Sequence, residues 1–152
     1  MHLEAHFEKI KYYLPHLDAR NEKVSKVDVA WQLDHSLQVL IEVSKAILAS
    51  DPQAYQAQFN LRFELLSLLN WFPRGKGKAP KAVVPQEKST AEGLSTKLAE
   101  AKQLLKQLED LSDKHYFDHP LFGQIKKQRA LRFLEMHTEH HLKIVREIIT
   151  GQ

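Results

Sequence analysis

Glycine and proline interrupt regular structure, and in this chain they are placed so that long stretches contain neither. The 5 Gly and 6 Pro are clustered. None lies between Pro15 and Pro52, and none from 53 to 72. Only Gly93 lies between Pro85 and Pro120, and none lies between Gly123 and Gly151. Stretches of this length, rich in Leu, Lys, Glu, Gln and Ala, favour helices. None shows sustained two-residue alternation with β-branched enrichment. The expected fold class is all-α.

Five segments follow from the spacing of apolar residues. The first runs from about residue 2 to 14, with Leu3, Phe7, Ile10 and Leu14 at helical intervals and Pro15 ending it. The second spans about 28 to 49, with Asp28 as N-cap. Asp51-Pro52 reads as a cap followed by proline at the first helical position, opening a third segment to about Phe72. A loop, PRGKGKAPKAVVPQEK, covers 73–88. Ser89-x-x-Glu92 has the capping-box pattern and starts the fourth segment, whose Leu94, Leu98, Ala101, Leu105 and Leu108 form a bundle seam. After a turn-like HPLFG at 119–123, the fifth runs from about 125 to 150. Long helices with this spacing and one long connection point to a helical bundle.

A chain of 152 residues suits one domain spanning 1–152. With no Cys, disulfides, thiolate metal sites and thiol nucleophiles are excluded. Apolar residues at 43% and charged residues at 27% give a globular balance. No apolar run reaches the roughly 20 residues that a membrane helix needs. The N-terminal MHLEAHFEKIKYYL lacks the uncharged core of a signal peptide. A cytoplasmic location is expected.

The nine His residues are the most informative feature. His137, His140 and His141 lie together in the fifth segment. On a helical wheel His141 falls about 20° from Leu134, inside the apolar stripe; His137 falls about 60° away, at its edge; His140 falls about 120° away, on the flank. His137 and His141 therefore present imidazoles to one face, a turn apart. Two imidazoles so spaced can grip one divalent ion, with a third ligand from another helix. His35 is the only His in the second, third and fourth segments. It lies nearly opposite the apolar stripe of Val29, Leu33, Leu37, Leu40, Ile41 and Leu48, with Trp31, Gln38, Val39 and Glu42. That second face is either solvent or the wall of a polar cleft, and Trp31, Gln38 and Glu42 suit such a wall. Glu139 points away from the histidines, so EMHTEHH is not the H-E-x-x-H of zinc proteases.

The combination of WQLDH, HPLFG and MHTEHHL, with the PRGKGKAP loop, resembles the DinB-like metalloenzyme superfamily, and more narrowly one of its uncharacterised subgroups. The likeness spans residues about 28 to 146. It implies a four-helix bundle with a long crossover between the second and third bundle helices, and the third segment becomes an extra helix in that crossover. It implies a divalent metal on His35, His137 and His141. Characterised members include S-transferases using low-molecular-weight thiols, hydrolase-like activities have been suggested, and several members are dimeric. The resemblance therefore implies a small-molecule substrate, such as a thiol, and allows a homodimer. His140 also offers an i,i+3 pair with His137, although the wheel favours His141.

Three imidazoles leave an open coordination position, the catalytic arrangement. A water or thiol there becomes more acidic. All-nitrogen ligands suit zinc or nickel, and also admit iron or manganese. Glu42 is the nearest acidic candidate for a general base or an orienting group. The expected function is a metal-dependent S-transferase-like or hydrolase-like enzyme; the alternative is a non-catalytic, metal-stabilised bundle that binds a ligand or protein partner. The 73–88 loop, with Arg74, Lys76, Lys78, Lys81 and Lys88 against Glu87, carries +4 in a chain whose total is +3. It is either a solvated crossover or a guide for an anionic substrate. It has no aromatic interleaving, so specific nucleic-acid binding is not expected.

Overall fold

The computed structural model describes residues 3–57, 59–69 and 79–151. These residues are mostly helical and carry one small sheet. In chain order they form α1 (Leu3–Tyr13), α2 (Val29–Ala49), α3 (Leu61–Leu69), α4 (Ala91–Glu109), β1 (Tyr116–His119), β2 (Gly123–Lys126) and α5 (Lys127–Thr150). Short 3₁₀ turns occupy Leu14–His16 and Lys81–Val83. No helix among the described residues is long and apolar enough to cross a membrane.

The helix ends follow local chemistry. Pro15 sits in the 3₁₀ turn that closes α1, where its missing N–H ends the helical ladder. Asp28 caps α2, accepting from the Trp31 N–H at 2.9 Å. The cap of α4 is Thr90 rather than Ser89: its Oγ1 accepts from the Gly93 N–H at 3.1 Å. Ser89 is drawn instead to the buried Asp34 of α2, which also pairs with Lys97 of α4. A buried carboxylate needs such partners, and it outcompetes the local cap. Gly151 closes α5 in the left-handed region, φ 72°.

Two further expectations need correction. Asp51-Pro52 starts a turn, not a helix. The Asp51 Oδ1 accepts from the Gln53 N–H at 2.9 Å, and its carbonyl accepts from the Ala54 N–H at 3.0 Å. An Asp that bonds the backbone two residues on competes with the helix it was expected to cap. α3 begins only at Leu61, after Asn60, whose Oδ1 accepts from the Phe63 N–H. The expected end at Phe72 lies outside the described residues, as do Arg74, Lys76 and Lys78. The HPLFG turn is the tip of a hairpin, so the chain is not purely α. Its strands pair antiparallel, with Phe117 opposite Ile125 and His119 opposite Gly123. Pro120 presets the turn, and Gly123 at φ 69° supplies its left-handed residue.

α2 is the central element: it packs against α4, α5, β1 and the 3₁₀ turn at Lys81–Val83. α1 packs on α5, and Lys102 of α4 reaches back to Glu4 and lies over the Phe7 ring of α1. One apolar core joins these helices to the hairpin. Leu33, Leu37, Leu40 and Leu134 are fully buried, each stabilising the fold by about 1.5–3 kcal/mol. All five seam residues of α4 are buried.

Candidate metal centre

Because α2 is covered on several sides, the face that carries His35 is buried too. Val39, Val43, Gln32 and Ser36 lie inside with it. The second face of this helix is therefore largely buried against the rest of the protein, with Trp31, Gln38 and Glu42 half-buried on it, and is not open to solvent. Opposite it, α5 brings up His137 and His141 one turn apart. His35, His137 and His141 each offer a ring nitrogen within 4.8 Å of the other two. Ring centroids lie 5.2 Å apart for His35 and His137, 4.7 Å for His35 and His141, and 4.5 Å for His137 and His141.

Two rings have their tautomer fixed. His35 Nδ1–H donates to the Val83 carbonyl at 2.7 Å. His141 Nδ1–H donates to the Gln32 Oε1 at 2.6 Å. Each neutral ring then keeps its lone pair on Nε2, the arrangement in which protein acceptors orient metal-ligating histidines. The Nε2 atoms of His137 and His141 are 3.2 Å apart. Two nitrogens bound at about 2.0–2.1 Å in tetrahedral geometry are separated by roughly 3.3 Å, so this spacing fits one ion.

The electrostatics agree. Burial holds His35 below its ordinary 6.5, against the Val83 hydrogen bond and the Asp34 charge. Burial holds His137 and His141 well below 6.5, helped by the neighbouring histidines. All three are neutral at pH 7, the form that binds metal. These three histidines could hold a divalent ion.

The other expected residues are placed as follows. Trp31 is half-buried and stacks on His35, with centroids 4.9 Å apart. Gln38 is half-buried on α2. Glu42 is half-buried, with Lys45 at 3.9 Å; Lys45 bridges on to Glu100 of α4. His140 meets His141 edge-on, with centroids 5.1 Å apart, and is outside the group of three. Glu139 pairs with His6 and Lys9 of α1, away from the site. His119 caps the hairpin tip, its Nδ1 accepting from the Leu121 N–H at 3.0 Å. Its ring stacks on Phe122 and meets Phe133 edge-on, and Phe133 stacks on His137. Two orienting groups escaped the sequence reading, Gln32 and the Val83 carbonyl. Gln32 had a signal: it precedes His35 by three residues and so shares its helix face.

Residues 73–148, half of the chain, match a family described as a protein of unknown function, DUF1569. The chain belongs to the DUF1569 family. The DUF1569 match takes in Val83, the hairpin, His137 and His141, while His35 and Gln32 precede it. No curated protein and no solved structure matches the chain.

Proposed function

We propose that this DUF1569 chain is a divalent-metal-dependent enzyme acting on a small molecule, built as a DinB-like four-helix bundle. In this reading α1, α2, α4 and α5 are the bundle, and the segment holding α3 is the crossover. The observation that carries the proposal is the convergence of three neutral imidazoles, two with Nδ1 committed to protein acceptors. The donor set suits zinc or nickel. When bound, the ion would act as a Lewis acid that lowers the pKa of a water or thiol at its open position.

The chain's own groups supply the rest. Val83 and Gln32 hold two rings in the ligating tautomer. Trp31 stiffens His35 by stacking and offers its indole as a wall for a substrate. Glu42 stands on the same helix as a candidate proton acceptor, and Gln38 as a hydrogen-bonding group. Because the chain has no Cys, a thiol reaching the ion comes from the substrate, which favours S-transfer over a protein-thiol mechanism. Hydrolysis is the other chemistry the same site supports.

Untagged protein loaded with cobalt tests this. Adding a small thiol is expected to give a sulfur-to-metal charge-transfer band that His141→Ala lacks. Turnover of an ester or amide with no thiol response would replace S-transfer by hydrolysis. A bound ion indifferent to both would leave a non-catalytic, metal-stabilised bundle.

A further inference from the structure

A concavity lies among residues other than the three histidines. It is a cleft of about 210 Å³ between the turn before α3, α3 itself, the hairpin and the first turn of α5. Phe63 and Phe122, both buried, form its apolar floor with ring centroids 5.3 Å apart. Two cations stand on its aromatic walls: Lys126 Nζ lies 4.9 Å from the centre of the Tyr55 ring, and the Arg129 guanidinium 4.7 Å from that of Phe63. Such contacts hold a cation against the face of a ring.

The two cations differ in how their charge is matched. Arg129 is paired with Glu64 at 2.5 Å. Among the described residues Lys126 has no carboxylate partner, and no Asp or Glu lines the cleft. Gln124 also lines it; its Oε1 is occupied by the Gln56 N–H at 2.7 Å, which leaves the amide NH₂ as its donor side. Phe59, Leu61 and Leu121, each adjacent in sequence to a lining residue, are 80%, 60% and 71% exposed. An unmatched ammonium and an amide donor beside aromatic rings select one ligand chemistry.

We propose that this cleft binds a small organic carboxylate with a flat apolar body. The carboxylate pairs with Lys126 and accepts from the Gln124 amide, and the body lies against Phe63 and Phe122. The size is suitable, since a cavity of about 150 Å³ already admits benzene. The site stands independently of the metal-centre reading.

Benzoate is the probe, titrated into metal-free, isotope-labelled protein and followed by amide chemical shifts. Saturable binding is expected with a Kd on the order of 1 mM, the range a nine-heavy-atom ligand reaches. The shifts should centre on residues 55–64 and 122–129. Lys126→Gln is expected to weaken binding roughly fivefold to tenfold, and benzamide, uncharged and of the same shape, should bind correspondingly weakly. His137→Ala should leave benzoate affinity unchanged. Lack of saturation at tens of millimolar would overturn the proposal, as would shifts centred on α5 near His137 or equal affinity in Lys126→Gln. Lys126 is exposed, and its variant is expected to keep the amide-shift dispersion of the parent protein, read in the same spectra.

Discussion

Gln32 does for His141 what a backbone carbonyl does for His35: it takes the Nδ1 proton and turns Nε2 inward. The two groups should nevertheless respond differently to mutation, because only the glutamine can be substituted without touching the main chain. Gln32→Leu keeps most of the buried volume and removes the acceptor. It is expected to lower zinc affinity about 10–100-fold, the usual cost of losing an orienting partner, while leaving the far-UV spectrum unchanged. Competition against a chromophoric chelator measures this, and an unchanged affinity would show that His141 needs no orientation. Ala at 35, 137 or 141 should remove most bound metal, and His140→Ala much less. Part of the candidate site is readable in the sequence. Helical periodicity fixes which side chains share a face, so the i,i+4 pair on α5 follows from it; it leaves His35 on a face open to either solvent or a cleft, and the family resemblance names His35 as the third group. The Val83 carbonyl is not readable, because every residue has one and Val83 is 48 positions from its partner.

At the scale of elements, the α4–α5 connection depends on a lysine that its sequence position does not advertise. Lys127, only 5% exposed, donates to the carbonyls of Leu108 and Leu111 at the end of α4, and its own N–H donates to the His115 carbonyl. The ammonium thus satisfies the Leu111 carbonyl just past the helix, adds to the bond that the Leu111 N–H already makes to the Leu108 carbonyl, lies 3.5 Å from the Asp113 carboxylate, and complements the partial negative charge of the helix end. Lys127→Met preserves the stem and removes the donors. It is expected to cost about 2–3 kcal/mol in urea unfolding, the range for stranding buried acceptors; a loss below about 0.5 kcal/mol would mean that water replaces the ammonium. Helix periodicity gave the α4 seam and both ends of α2, because apolar spacing and caps are local signals. The hairpin carried none: each strand has four residues, too few for alternation to register, and its burial comes from packing on α2 and α5, a tertiary arrangement that no local pattern reports. The start of α3 was misplaced for the same kind of reason, since Asp51-Pro52 is chemically suited to both a helix cap and a turn.

For the whole molecule, the buried histidines make stability depend on acid. His119 is pushed down to about 4 by burial, and His35, His137 and His141 are held below 6.5 mainly by the same cause. The unfolded chain takes up these protons near pH 6.5, while the folded chain resists. Unfolding therefore binds protons, and stability is complete above about pH 6.5 and falls as pH drops toward the folded values. The slope is up to about 1.4 kcal/mol per pH unit for each such group, and less for the partly exposed His119. Metal-free protein is expected to unfold at markedly lower urea concentration at pH 5.5 than at pH 7.5, and His119→Phe should narrow that difference. A midpoint independent of pH over this range would show that the histidines are hydrated in the folded state.

The hydrogen bond from His35 to Val83 has a consequence for how a bound ion and the chain would fold together. Seating Val83 closes a long loop, and the entropy of that closure grows only slowly with its length. An ion that fixes His35 therefore favours the closed loop, and by reciprocity a closed loop raises the affinity for the ion. A molecule nicked between α2 and Val83 would keep every imidazole yet lose this tether, and it would hold such an ion less tightly.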